Sequence, residues 1–268
     1  MSEVLGLLND LRAIAAEAGE IISGFYYSGH YDAQMKGDAT PVTSADLAAH
    51  HFLMQALPKL APDIPVLSEE DADIPLAERS QWPRYFLVDP LDGTGEFVAG
   101  SGDFAVSIAL MSGCQPVLGV IHAPILGLSY FAVRGHGAFR AEGGRSHAIA
   151  VKPRAPGSEI TIAISRRQPL APISAQLPID WPVRYLPLGG ATLKCCLVAE
   201  GGADCYLRLG PTGEWDTGAA QCILEEAGGQ LRDVHLQPLR YNQSESLGNP
   251  DFIATGDPNL PWDKWLRR

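Results

Sequence analysis

The sequence predicts a layered α/β fold, with a mixed sheet in each of two halves and a cleft between them. Two amphipathic helical stripes open the chain. A run of strand-like segments punctuated by Gly and Pro fills the middle. Beyond about residue 150, strands and helices alternate. At 268 residues and 46% hydrophobic, the chain is long enough to bury a substantial core, as one large domain or two small lobes.

The elements follow in order. Val4, Leu7, Leu8, Leu11, Ile14, Ala15, Ala18, Ile21 and Ile22 keep helical spacing and predict a first helix. KGDATPVTSAD (36–46) breaks that pattern and offers Thr43 or Ser44 as the next N-cap. Ala45, Ala48, Ala49, Phe52, Leu53, Ala56 and Leu57 form the second stripe, expected to end before Pro58. YFLV (85–88), DFAVSIALM (103–111), PVLGVIHA (116–123) and LSYFAVRG (128–135) read as strands, and short links such as SGCQ favour antiparallel hairpins. SHAIAVKPRAPGSE (146–159) is the expected boundary between halves of about 1–150 and 151–268, within one domain spanning 1–268. ITIAIS (160–165) and ADCYLRL (203–209) read as strands, and ATLKCCLVAEG (191–201) as a helix with a Gly stop. WDTGAAQCILEEAGG (215–229) reads as a helix closed by Gly228.

Bulk properties exclude several functions. The formal net charge of −11 argues against general binding to a nucleic acid polymer or an anionic bilayer. An anionic substrate would need a locally positive site, which a bound metal can supply. No run of about 18 apolar residues is present, so no integral membrane segment is expected. The N-terminus carries acids early and lacks the order of a signal peptide. The five cysteines are odd in number and form no CxxC pair, which favours reduced thiols in a cytoplasmic protein over disulfides or zinc.

Four segments each place a carboxylate at the end of an element: Asp46, the Glu69-Glu70 pair, Asp89 with Asp92, and Asp216 at the first turn of a helix. Hard divalent cations take oxygen ligands, and two ions about 4 Å apart suit in-line phosphoryl displacement. Asp89 and Asp92 could each hold one such ion and share Asp92, with the Leu91 carbonyl as a further ligand. Gly93 permits close backbone approach, and a helix starting after Thr94 would present free N–H groups to a phosphate. The plainer readings stand beside these. DPLDGT can be an Asx-capped turn, Asp46 and Asp216 can serve helix dipoles, and Glu69-Glu70 can be a solvated face.

VLSEE (66–70), LVDPLDGTGEF (87–97) and EWDTGAAQCILEEAGG (214–229) resemble three signatures of the inositol monophosphatase-like superfamily, in order across nearly the whole chain. The wording RLGPTGEWDT (208–217) is similar to its branch of bacterial 3′(2′),5′-bisphosphate nucleotidases of sulfate assimilation. The resemblance implies an αβαβα sugar-phosphatase fold and lithium-sensitive, magnesium-dependent hydrolysis of adenosine 3′,5′-bisphosphate to AMP and phosphate. The 3′-phosphorylated sulfate donor is a second implied substrate. Two or three Mg²⁺ ions are implied, with Glu69, Asp89, the Leu91 carbonyl, Asp92 and Asp216 as ligands. Glu69 and Thr94 would orient the attacking water, with Asp46 accepting from Thr94. The implied substrate contacts are Glu69, Leu91, Asp92, Gly93, Thr94, Ser165, Arg166, Lys194 and Asp216, with Arg167 beside them. Two residues depart from the pattern: Gly95, where the branch usually carries Lys or Arg, and Ala191, where relatives often carry a hydroxyl.

His50, His51, His122 and His136 form no metal-ligand pair and read as structural or surface residues. An inositol or sugar monophosphate phosphatase on the same scaffold is the alternative function. A non-catalytic metal and phosphate sensor is a third. The expected compartment is the cytoplasm, with peripheral inner-membrane association left open, and the expected assembly is a monomer or homodimer.

Overall fold

The computed structural model describes residues 2–35 and 41–267, so the KGDAT portion of KGDATPVTSAD (36–40) lies outside the described residues. Helix α1 (Ser2–Ser28) leads to the hairpin β1 (Ala33–Met35) and β2 (Pro41–Thr43), then α2 (Ser44–Leu60). There follow β3 (Val66–Ser68), α3 (Leu76–Arg79), β4 (Arg84–Asp92) and α4 (Thr94–Val98). The chain then runs through β5 (Ala105–Ser112), β6 (Gln115–Ala123), β7 (Leu128–Val133), β8 (Ala138–Glu142) and β9 (Arg145–Ile149). After a crossing segment come β10 (Ile160–Ser165), α5 (Leu170–Gln176), β11 (Val183–Leu188), α6 (Ala191–Ala199) and β12 (Cys205–Arg208). A 3₁₀ turn (Glu214–Asp216), α7 (Gly218–Glu226), β13 (Gln230–Asp233), β14 (Phe252–Thr255) and α8 (Trp262–Trp265) complete it.

Both large sheets are mixed. The first has strand order β3-β4-β5-β6-β7-β8-β9, with β3 parallel to β4 and the remaining pairs antiparallel. The second has order β11-β10-β12-β14-β13, parallel at β11-β10-β12 and antiparallel beyond.

Strand alternation assigns each face to a layer. On β4, Phe86 and Val88 join α1 and α2 in one core, while Tyr85 and Leu87 face α6 and α7 in another. On β10, Ala163 faces that same helical layer, whereas Ile160, Ile162 and Ile164 pack toward α5 and α8. The layers are therefore helices, sheet, helices, sheet, helices, the predicted αβαβα order. Small residues line the contact with α7. A Cβ on Gly119 of β6 would meet the Ala219 carbonyl oxygen at 2.4 Å, so only glycine admits the helix at this distance.

Three sequence expectations need correction. Helix α2 runs through Pro58 to Leu60, because burial of Leu57 and packing of Leu60 against the core hold its last turn despite the missing N–H. SHAI, at the start of the expected boundary, lies in β9, and the crossing between sheets occupies 150–159. Asp216 belongs to a 3₁₀ turn, with α7 starting only at Gly218, because Thr217 leaves helical geometry (φ −122°).

Candidate active site

The site is built on an irregularity at the end of β4. Asp89 pairs with Ser107 and Asp92 with Ala105, so three steps on β4 span two on β5. In a regular strand, residues three apart point to opposite faces. The bulge restores alignment and turns both carboxylates to the same side. Asp89 Oδ1 accepts the Leu91 N–H at 2.9 Å, which closes the Asp-Pro-Leu turn. Gly93 then takes φ +97°, and a Cβ there would approach the Asp103 carbonyl oxygen at 3.2 Å.

Other segments bring their residues to this point. Asp216 is held by the Gly213 N–H at 2.7 Å. Ligand oxygens of Asp89, Asp92 and Asp216 all lie within 4.8 Å of one another. Glu69, just past β3, donates its N–H to the Val88 carbonyl, and its carboxyl lies against that of Asp89. Burial raises the pKa of Asp89, and the charges of Glu69, Asp92 and Asp216 raise it further. Burial and the charges of Asp92 and Glu69 likewise raise Asp216. Buried like charges cannot all ionise at this spacing without a compensating cation. The donors are all oxygen, which fits a hard divalent ion.

Asp46, in the first turn of α2, links cap and site. Its Oδ2 accepts from the Thr43 N–H at 2.8 Å and the Thr43 hydroxyl at 2.5 Å, while its Oδ1 accepts from the Thr94 hydroxyl at 2.7 Å. One carboxylate thus closes the capping box and fixes the direction of the Thr94 hydrogen. Asp92 joins the two halves in the same manner. Its Oδ1 accepts the Ala191 N–H at 3.0 Å, and its Oδ2 accepts the Thr192 N–H at 2.8 Å and the Thr192 hydroxyl at 2.5 Å. The start of α6 therefore rests on a carboxylate of the acidic cluster. Gly190, at φ +54°, lets the loop pass, since a Cβ there would lie 3.0 Å from Asp92 Oδ2.

A cleft of about 800 Å³ contains these groups and is lined by Glu69, Asp89, Leu91, Asp92, Gly93, Thr94 and Asp216. Asp46 stands behind Thr94. The residues expected to contact substrate divide. Ser165 and Lys194 line the cleft, but the Lys194 ammonium donates to the carbonyls of Gly189, at 3.2 Å, and Gly190. It also lies over the Tyr206 ring at 4.9 Å, and burial pushes its pKa down to about 8 while Asp92 pulls upward. Arg166 is absent from the lining; it pairs with Glu96 at 3.2 Å and with Asp103. Arg167 borders the cleft instead. Sequence reading missed Thr192 and Arg208. Thr192 is the second residue of α6, just beyond the Gly189-Gly190 pair, a signal for a close approach. Arg208 ends β12 beside the end of β10, so it faces the same cleft as Ser165.

The sequence matches the inositol monophosphatase family over residues 7–257. The chain belongs to this family. The 3′(2′),5′-bisphosphate nucleotidase CysQ of Aggregatibacter actinomycetemcomitans is 43% identical over 258 residues, 96% of each chain. That of Haemophilus influenzae is 41% identical over 256 residues, 96% of this chain and 95% of the relative. The crystal structure of CysQ from Bacteroides thetaiotaomicron, itself described as a bacterial inositol monophosphatase family member, superposes with a TM-score of 0.78 at 34% identity. It covers 92% of this chain and 97% of that one. No helix among the described residues is long and apolar enough to cross a membrane.

Proposed function

We propose that this chain is a magnesium-dependent 3′(2′),5′-bisphosphate nucleotidase, hydrolysing adenosine 3′,5′-bisphosphate to AMP and phosphate, and also accepting 3′-phosphoadenylyl sulfate. The observation that carries the reading is the cluster of Asp89, Asp92 and Asp216 within 4.8 Å, facing one cleft with Thr94. The names of the relatives support the nucleotide. Glu69, Asp89, the Leu91 carbonyl, Asp92 and Asp216 would hold two or three Mg²⁺ ions. When bound, these supply Lewis-acid neutralisation of charge on the phosphate and on the leaving oxygen.

The chain's own groups position the nucleophile. Thr94 gives its hydrogen to Asp46, so its oxygen is left as an acceptor for a water proton. Glu69, against Asp89, accepts from the same water on its other side. The Gly93–Thr94 backbone orients the phosphate. Water attacks in line, the bond from phosphorus to the ribose oxygen breaks, and no phospho-enzyme forms. Residues 1–268 act as a single domain, working in the cytoplasm in sulfate assimilation as a monomer or homodimer, with peripheral inner-membrane association compatible with that role.

The test is phosphate release from adenosine 3′,5′-bisphosphate and from inositol 1-phosphate, with and without Mg²⁺, then with added Li⁺. Magnesium-dependent, lithium-inhibited turnover of the nucleotide is expected. A preference of about tenfold or more for inositol phosphate, roughly 1.4 kcal/mol in transition-state binding, moves the substrate and keeps the site. Turnover of neither would leave a binding protein.

A further inference from the structure

Position 95 has no side chain, and another residue fills its space. A Cβ built on Gly95 would lie 2.2 Å from Nη1 and 3.0 Å from Cζ of Arg167. Arg167 comes from the opposite half, two residues past β10. Its Nη2 donates to the Gly95 carbonyl, and its Nε lies 3.4 Å from Glu96 Oε1. The guanidinium is thus pinned against the turn that carries Thr94, at the edge of the cleft. Its Nη1 donates to no acceptor among the described residues. Of the other cations on or beside the cleft, Arg166 is engaged by Glu96 and Asp103, Lys194 by backbone carbonyls, and Arg208 gives Nη2 to the Pro211 carbonyl at 2.9 Å while its buried Nε has no partner among the described residues. At 57% side-chain exposure, Arg167 stays open to a ligand entering the cleft.

We propose that Arg167, seated over Gly95, is a specificity-determining residue that reads a second anionic group on the substrate. This rests on the phosphatase reading, which places the reacting phosphate at Asp89, Asp92 and Thr94. A planar guanidinium with a spare donor edge matches a phosphate or sulfate. Its seat, Gly95, is one residue from Thr94 in sequence, so the guanidinium serves an anionic group carried by the same sugar. The chain delivers this cation from the opposite half of the fold, and the delivery requires glycine at position 95.

The test measures kcat/KM for two pairs: adenosine 3′,5′-bisphosphate against adenosine 3′-monophosphate, and inositol 1,4-bisphosphate against inositol 1-phosphate. The wild type should prefer the bisphosphate of the pair it uses. Arg167→Gln should cut that preference by about tenfold, the scale of one charge-assisted contact. Gly95→Ala should do the same with Arg167 intact, because its Cβ displaces the guanidinium. The double variant Gly95→Lys/Arg167→Gln should recover most of the preference, which a merely structural latch would not. Equal losses on both members of a pair, or a wild type without bisphosphate preference, would overturn the proposal. If only inositol phosphates are turned over, the nucleotide reading falls while that pair still judges Arg167. If none is turned over, the same ratios are read from calorimetric affinities.

Discussion

Asp92 carries two loads. Its oxygens hold the start of α6 and also face Asp89 and Asp216. Asp92→Asn should therefore lower kcat by about 10²-fold or more and weaken Mg²⁺ binding, read by phosphate release and titration calorimetry. Near-normal turnover would count against a shared ligand. Thr94 gives a sharper contrast. Thr94→Ala removes the hydroxyl that Asp46 orients and should cost about 10²-fold in kcat, whereas Thr94→Ser keeps it and should retain most activity. These residues were legible as candidates in sequence because the motifs are contiguous. The partners of Asp92 were not, since Thr192 lies 100 residues away. Arg166 shows the converse. Adjacent arginines look equivalent in sequence, yet Glu96 and Asp103 draw one out of the cleft and leave the other beside it.

Among elements, the contact between α7 and β6 is the tightest test of packing. Gly119→Ala would drive a methyl carbon to 2.4 Å from a backbone oxygen, which only movement of the helix can relieve. A loss of about 2 kcal/mol or more is expected, measured as a lower denaturation midpoint at unchanged slope. Element types were readable where one face is buried. ITIAIS coincides with β10 because its isoleucines alternate toward one layer. FRAE and RSHAI, in β8 and β9, were not read as strands, because most of their residues are polar or exposed and their pairing, β8 on β7 and β9 on β8, comes from the sheet. The bulge at Asp89–Asp92 was also invisible, since it exists only as a mismatch with β5.

For the whole molecule, the acidic cluster sets a cost on the metal-free state. Mg²⁺ at about 100 times its dissociation constant should add ~2.7 kcal/mol per site, raising Tm by roughly 5 °C or more over the protein in EDTA. Asp216→Asn should raise the Tm in EDTA by relieving repulsion and should abolish most of the Mg²⁺ response, as checked by thermal melts. A Tm in EDTA unchanged by that substitution would deny the repulsion. His122 links stability to pH. Burial lowers its pKa below the ordinary 6.5, with Glu20 and the Leu128 backbone pulling upward. The unfolded chain then binds a proton that the folded chain refuses, so this contribution is full above the unfolded value and is lost as pH falls from there through the lower folded value. The unfolding free energy should drop as pH falls below about 6.5, and His122→Gln should make that drop shallower.

The sequence by itself determined the chemistry on offer and the alternation of layers. Helical stripes, alternating strands and glycine stops are local patterns, and the acidic motifs are short enough to be read whole. The tertiary structure decided which groups meet. Asp216 reaches Asp89 across more than 120 residues because a 3₁₀ turn and a strand bulge point at the same cleft. Arg167 occupies the space left at Gly95 because the two sheets bring β10 and α4 together. Such proximity depends on pairing and packing between distant segments, which no local pattern encodes.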